Sequence, residues 1–241
     1  MIRKILFQRS FLILLFISSS FLYAQTNSSI STKPLNESSF ATFSIFSSLD
    51  PFNPRYRVGY IQNLSPKWKL GVDLGYGSRK LSWSSSLFTT TYLTSFGGAV
   101  EEDYRLWEIR PELYYIIDPS HKYLQYISTE VFYIHQTDAY QHDHVDKNDM
   151  GYFNFDKADF KRQKIGSHIK YGIFINPGEK LGLNVYTGIG FRFRNNTFSD
   201  IINLVPYDDP REVAVDYNEV EGLFFGFNFS FGFRLYYRFE R

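Results

Sequence analysis

The sequence lacks several features that would point to familiar classes of protein. It contains no cysteine, which excludes disulfide bonds, thiolate chemistry and lipid attachment through a cysteine. The formal net charge is only +1, so no bulk charge favours binding to nucleic acid. Beyond residue 24 there is no run of about 18 apolar residues, and the mean hydropathy is -0.28, which together exclude a helical membrane bundle.

Aromatic residues are, in contrast, frequent. Phenylalanine occurs 25 times and tyrosine 19 times, and aromatic residues make up 20% of the chain. Such a content is typical of the aromatic girdles that flank a membrane-spanning β-barrel. At the N-terminus, Arg3 and Lys4 precede an apolar stretch at 11–17, and small residues follow. This order predicts a secretory signal peptide over residues 1–24, followed by a flexible leader over residues 25–38.

The clearest pattern is an alternation of period two near the end of the chain. Odd positions from Leu223 to Phe239 are apolar or aromatic, whereas most even positions are small or polar, which predicts a β-strand with two different faces. The same alternation recurs upstream between turn residues and long loops at 78–103, 138–158 and 195–221. It predicts about eight strands, over residues 40–49, 55–63, 68–77, 104–117, 122–137, 159–176, 181–194 and 222–239.

The two faces of the predicted strands differ in a way that favours a membrane. In the strand 181–194, Leu183 and Phe191 share the apolar face, while Gly190 and Arg192 share the other face. A soluble lipid-binding barrel would carry its apolar residues inside, so glycines and charges on one face favour a polar interior and a lipid-facing exterior. We therefore expect an all-β, antiparallel, up-and-down transmembrane β-barrel over residues 39–241. Its termini would be periplasmic and its long loops extracellular.

The last strand also carries a family resemblance. The segment 230–237 (SFGFRLYY) resembles the signal by which outer-membrane barrels are recognised for assembly, although Glu240 and Arg241 follow its final aromatic residues. The mature chain resembles the small eight-stranded outer-membrane proteins of Gram-negative bacteria, of the OmpA-like and OmpX-like kind. This resemblance implies an outer-membrane protein in contact with lipid and lipopolysaccharide, assembled by the barrel-assembly machinery, and we expect a monomer. It specifies no activity, because these proteins include structural proteins, adhesins and lipid-modifying enzymes.

Charged residues on the inward faces predict ion pairs inside the barrel. Pairing across the turns places Arg57 opposite Asp73 and Arg110 opposite Glu130. A barrel of about eight strands has an interior that side chains fill, or that holds one small ligand, and burying an unpaired charge is costly. We therefore expect these pairs to be structural and the lumen to be plugged by charged side chains, with a narrow small-solute channel as the alternative.

The pairing of strands 159–176 and 181–194 predicts an unbalanced cationic cluster at the outer mouth. It places Lys164 opposite Arg192 and Arg162 opposite Arg194, and Arg55 comes from the same end. Like charges directly opposite each other are destabilising, so an anionic partner is expected. This partner is either a ligand, such as a phosphate or a sugar acid, or the carboxylates of the loops. The loop carboxylates are Glu101, Glu102, Asp103, Asp208, Asp209, Glu212, Asp216, Glu219 and Glu221.

Two further sets of residues bear on chemistry. The segment 142–144 (HDH) offers ligand types for a divalent metal, but it lies in a predicted polar loop, and we expect no metal or cofactor there. His135 and Thr137 share one face of a strand, which resembles lipid-deacylating outer-membrane enzymes that carry a histidine and a serine two residues apart. No acid partner for His135 is evident. The sequence thus predicts a non-enzymatic structural or surface-binding protein acting through its loops, with a lipid A deacylase-like enzyme as the alternative.

Overall fold

The fold is built almost entirely from β-strands. The computed structural model describes residues 34–48, 50, 53–79, 103–119, 123–147, 151–176, 180–206 and 220–239. A 3-10 helix, Leu35–Glu37, lies within the predicted leader, and a one-turn helix, α1 (Ile45–Ser48), follows the first strand. Within these residues there are nine strands: β1 (Ser39–Ser44), β2 (Tyr56–Ser65), β3 (Trp68–Ser78), β4 (Arg105–Pro119), β5 (Tyr123–Asp146), β6 (Tyr152–Ile175), β7 (Leu181–Ile202), β8 (Val205–Pro206) and β9 (Gly222–Phe239). The predicted signal peptide, 1–24, lies outside the described residues.

Neighbouring strands pair antiparallel and form a closed ring. Their order is β5-β4-β3-β2-β1-β9-β7-β6, and β5 also pairs with β6, which joins the two ends of the series. The first strand meets the last, with Ser39 opposite Phe239. The two-residue strand β8, which the alternation does not predict, pairs with β6. The prediction of an all-β, antiparallel chain is therefore confirmed.

The first strand is shorter than the alternation predicts. It ends at Ser44 and not at residue 49, because local hydrogen bonds replace the ladder. The Ser47 hydroxyl donates to the Ser44 carbonyl oxygen at 2.9 Å, and the Arg55 backbone N–H donates to the Ser47 carbonyl oxygen at 2.9 Å. As a consequence, β9 has β1 as its neighbour only over residues 234–239. Over residues 222–233, β7 is its only strand neighbour in the described part of the chain.

The polar stretch 138–158 belongs largely to a long β5–β6 hairpin, so the prediction of a loop there is wrong. Asp146 at the end of β5 lies opposite Tyr152 at the start of β6, and the segment 142–144 is part of β5. Strand β7 likewise continues to Ile202, beyond the predicted end at 194. These strands extend further because a buried apolar cluster stabilises them, although most residues of the stretch are polar. Its members are Val145, Phe155, Ala158, Phe160 and Phe198.

The two faces of the ring carry opposite chemistry, with polar side chains inside. Along β3 the apolar positions are exposed, whereas Lys69 and Asp73 are buried. Glu130 and Arg234 are likewise buried within the ring, so the predicted inward and outward positions are confirmed. Large apolar side chains face outward on every long strand. Among them are Val58, Leu74, Trp107, Ile109, Val131, Ile169, Ile189 and Phe227.

An aromatic cluster fills the interior at the end where β1 begins and β9 ends. Its larger members are Phe40, Tyr114, Tyr126, Phe174, Tyr186 and Tyr236. Tyrosine rings lie directly over inward-facing glycines: a Cβ built on Gly232 would be 2.2 Å from Tyr186 Cζ, and one on Gly182 would be 2.2 Å from Tyr236 Cζ. The glycines therefore provide the space in which the rings pack.

Replacing Gly232 with valine is expected to lower the free energy of unfolding by about 1–3 kcal/mol, because the added Cβ overlaps the Tyr186 ring. A urea titration of the protein in detergent micelles, followed by tryptophan fluorescence, measures the loss. Gly226→Val is the matched control, since Gly226 lies on the same face of β9 and a Cβ there meets no atom within 4 Å. Equal losses in the two variants would contradict the packing argument.

Candidate functional site

A buried ionic network crosses the interior of the ring. Its centre is Glu112 on β4 and Glu130 on β5, which lie directly opposite each other, an arrangement of like charges that requires nearby cations. The Lys170 ammonium group contacts Glu130 Oε2 and lies 3.3 Å from Glu112 Oε2. Arg234 Nη2 lies 3.2 Å from Glu112 Oε2 and 3.0 Å from Asp73 Oδ2. The network thus connects β3, β4, β5, β6 and β9.

Next to this network, Glu108 on β4 binds three arginines. Glu108 Oε1 accepts hydrogen bonds from Arg55 Nε at 2.9 Å and from Arg57 Nε at 2.6 Å, and Glu108 Oε2 accepts one from Arg110 Nε at 2.9 Å. Arg55 also donates to Asp50 Oδ2 at 3.0 Å. Because the Glu108 side chain is fully buried, these charge-assisted contacts are shielded from water.

One of the two predicted ion pairs is formed and the other is not. Arg110 Nη1 lies 2.9 Å from Glu130 Oε1, which confirms this pair. The predicted pair of Arg57 with Asp73 is wrong, because Arg57 binds Glu108 and Asp73 binds Arg234. The turn between β2 and β3 pairs Ser65 with Trp68, so that even after a one-residue irregularity at Asn63 and Ser65 Arg57 lies opposite Gly75, two residues away from the expected position.

A cavity of about 280 Å³ lies beside these arginines. Its cationic lining consists of Arg55, Arg57, Arg110, Lys164 and Arg192, with His168 alongside. Asp50 is the only carboxylate among the described lining residues. His168 is held in place, since its Nδ1 lies 3.0 Å from Glu130 Oε1 and its Nε2 lies 2.9 Å from Asn228 Nδ2. The cavity therefore has a cationic wall backed by buried carboxylates.

The predicted cationic mouth is only partly assembled. Arg55, Lys164 and Arg192 line the cavity, but Arg162 and Arg194 do not. Arg162 Nε donates to Asn196 Oδ1 at 2.9 Å and its guanidinium lies over the Phe160 ring, while the Arg194 guanidinium lies over the Phe224 ring. The predicted oppositions are wrong by two residues, since Lys164 lies opposite Arg194 and Arg162 lies opposite Asn196.

Positive charge exceeds negative charge in the cavity and the network together. The cations are Arg55, Arg57, Arg110, Lys164, Lys170, Arg192 and Arg234, and the carboxylates are Asp50, Asp73, Glu108, Glu112 and Glu130. The excess corresponds to Lys164 and Arg192, neither of which forms an ion pair with a described residue. Both side chains are partly exposed to the cavity.

The loop carboxylates that could neutralise this excess lie mostly outside the described residues. This applies to Glu101, Glu102, Asp208, Asp209, Glu212, Asp216 and Glu219. Of the two that are described, Glu221 lies 3.8 Å from Lys147 Nζ and accepts a hydrogen bond from the Phe198 backbone N–H. Neither Asp103 nor Glu221 forms an ion pair with Lys164 or Arg192.

His135 has none of the partners that a catalytic base needs among the described residues. It lies opposite Trp107 in register, with the two ring centroids 5.6 Å apart, and no described residue forms a hydrogen bond or an ion pair with it. Thr137 lies opposite Arg105 and Lys161. This face of the ring therefore carries no assembled nucleophile and base in the described part of the chain.

Within the described residues, no cluster of three or more metal-ligating side chains is placed to hold an ion. No helix in that part of the chain is long and apolar enough to cross a membrane. Comparison of the chain with family models, curated proteins and solved structures gives no match.

Several members of the network cannot be paired from the sequence. Glu108, Glu112, His168 and Lys170 are recognisable as inward-facing, but each also has a partner on a strand that does not neighbour its own along the chain. Arg234 in particular bonds to Glu112 across the interior. The only signal in the sequence is the shared inward parity.

Proposed function

We propose that this chain is an integral outer-membrane β-barrel protein of a Gram-negative bacterium and that it is non-enzymatic, with a structural or surface-binding role exerted through its extracellular loops. The observation that carries the proposal is the inverted burial, with charged side chains enclosed and large apolar side chains exposed around the ring. Such a surface is unfavourable in water but matches a hydrocarbon environment.

The strand arrangement supports a membrane-spanning barrel. The ring closes on itself between β1 and β9, so the backbone groups of most strands are paired on both edges, as a bilayer requires. Aromatic pairs lie towards both ends of the strands: Trp68 packs on Tyr115 near one end, and Trp107 packs on Tyr133 near the other. These pairs fit the interfacial girdles of such barrels.

The proposal includes the route by which the protein reaches the membrane. Residues 1–24 act as a signal peptide, and the segment 230–237 is the signal read by the barrel-assembly machinery. Ser39 and Phe239 lie side by side, so both chain ends leave the ring at one end, which we assign to the periplasm. The protein is a monomer in contact with lipid and lipopolysaccharide.

A filled interior argues against a conducting pore. The aromatic cluster around Phe40 and Tyr126 occupies one end, and the network around Glu112 and Glu130 occupies the middle. The cavity beside Arg192 is confined to the remaining part. We therefore favour a plugged barrel over a narrow solute channel.

The proposal is tested by expressing the full chain in a Gram-negative host. We expect the mature protein in the outer-membrane fraction, faster migration on SDS gels when unheated than when boiled, and no stepwise conductance in a planar bilayer. A protein recovered from the periplasm, or one whose migration does not change on heating, would contradict the membrane assignment. Reproducible single-channel steps would instead support the channel alternative.

A further inference from the structure

The cationic cavity extends to an edge of the ring that no strand of the described residues covers. Its lining includes four consecutive residues of β9: Asn228, Phe229, Ser230 and Phe231. Phe229 and Phe231 point outward, whereas Asn228 and Ser230 point inward, so the cavity lies directly against β9 and includes residues of both its faces. This part of β9 has β7, but not β1, as a neighbour, because β1 ends at Ser44. Within the described residues, the cavity therefore adjoins an edge of β9 that has no strand neighbour.

The outer surface beside this edge is unusually exposed and apolar. Phe227, Phe229 and Phe231 are 82%, 80% and 70% exposed, compared with 64% for Ile169 and 66% for Ile189, which have strand neighbours on both edges. The nearby residue Phe46 of α1 lies against Phe231, with ring centroids 6.2 Å apart. An apolar strip thus leads from the lipid-facing exterior to the cationic cavity.

The charges of the cavity define the other half of the site. Arg57 and Arg110 are held by Glu108, whereas Lys164 and Arg192 form no ion pair with a described residue. Two cations facing one polar space of about 280 Å³ match an anionic group with several acceptor oxygens. Phosphate has this chemistry, and a phosphate linked to acyl chains would also cover the phenylalanine strip.

We propose that the cavity binds the anionic phosphate headgroup of a membrane lipid, which enters laterally at the edge of β9 beyond the end of β1. Lys164 and Arg192 bind the phosphate oxygens, with Arg57 and Arg110 close by. Phe229 and Phe231 contact the acyl chains at the edge of the ring. This inference rests on the proposed membrane location, since only a protein within a bilayer presents this edge to lipid.

Lipid binding is measured with the full chain in detergent micelles, titrated with dioleoylphosphatidylglycerol and followed by native mass spectrometry. We expect one saturable site that binds the zwitterionic dioleoylphosphatidylcholine at least about tenfold more weakly, because its choline cation would lie beside the cationic lining. Inorganic phosphate should bind at least about tenfold more weakly as well, because it has no acyl chains for the phenylalanine strip. The double variant Lys164→Gln, Arg192→Gln should lose about tenfold or more in affinity for the anionic lipid. Arg192→Lys, which keeps the charge, should retain most of it.

Two control variants keep this experiment specific. Lys157→Gln combined with Lys161→Gln removes the same charge from exposed positions of β6 and should leave affinity unchanged. Phe229→Ala combined with Phe231→Ala should weaken lipid binding, whereas Phe225→Ala combined with Phe227→Ala, outside the cavity lining, should not.

The lipid site and the membrane location are tested by different measurements. Equal affinity in the wild type and the Lys164, Arg192 double variant would overturn the site, as would equal loss in the charge-matched control. Binding of inorganic phosphate as tight as that of the lipid would overturn the lipid as occupant. Heat-modifiable migration, recorded for every variant, reports barrel formation independently, so its absence in the wild type would contradict the proposed function itself.

Discussion

Replacing Arg234 with methionine is expected to lower the free energy of unfolding by about 3–5 kcal/mol. The Arg234 guanidinium is fully buried and lies within 3.2 Å of both Asp73 and Glu112, and it donates to the Tyr114 hydroxyl at 3.0 Å. Methionine fills most of the volume but leaves both carboxylates short of a cation. Lys170 would then be the only cation among the described residues in contact with Glu112. It would also remain in contact with Glu130, whose other cationic partner is Arg110.

A urea titration of the protein in lipid vesicles measures this loss, with the three tryptophans as probes. Arg105→Met is the control, because Arg105 lies exposed on β4 and its loss should change stability by no more than about 0.5 kcal/mol. Combining Arg234→Met with Asp73→Asn should cost less than the sum of the single losses, since the pair is removed together. A loss below about 1 kcal/mol for Arg234→Met would contradict its assignment as the central cation.

Replacing Glu108 with glutamine is expected to lower the free energy of unfolding by about 3 kcal/mol. Glutamine keeps the shape of the side chain but removes the charge that three arginines share. Arg55 retains Asp50 and Arg110 retains Glu130, whereas Arg57 loses the carboxylate to which its Nε donates. An additional uncompensated cation then lies at the wall of the cavity.

The Glu108→Gln loss should depend on the anions in solution. Sodium phosphate should restore part of the stability relative to sodium chloride at equal ionic strength, because an anion that binds the folded state stabilises it. The control is Glu37→Gln, which neutralises an exposed carboxylate and should show neither effect. A Glu108→Gln variant as stable as the wild type would show that the three arginines do not need this carboxylate.

The ion pairs show how far register can be predicted from turns. Arg110 and Glu130 are found together although Glu130 lies opposite Glu112, because a long arginine side chain reaches a diagonal neighbour. Arg57 and Asp73 are separated, because the tight turn that pairs Ser65 with Trp68 leaves the β2–β3 pairing two residues away from the expected one. A register shift of two residues leaves each side chain on the same face of the sheet, but it changes which residue of the neighbouring strand lies opposite.

The candidate site illustrates the same limit. Arg55, Lys164 and Arg192 could be placed near one end of the strands from parity and turn positions. Their separation from Arg162 and Arg194 depends on Asn196 and on the rings of Phe160 and Phe224, which only the assembled sheet brings close. The edge of β9 that lacks a strand neighbour in the described part of the chain depends on where β1 stops, which is decided by hydrogen bonds of Ser47 and not by alternation.

The alternation of the last strand, Gly222–Phe239, by itself determined that one face would be apolar and the other polar, because successive side chains of any strand point in opposite directions. The same local geometry determined most strand positions and the inward set of charges. Only the tertiary structure decided which charges meet, that Arg234 lies at the centre of the network, and that Lys164 and Arg192 face a cavity beside the edge of β9. These features depend on the relative displacement of strands around a closed ring, to which every turn and irregularity contributes.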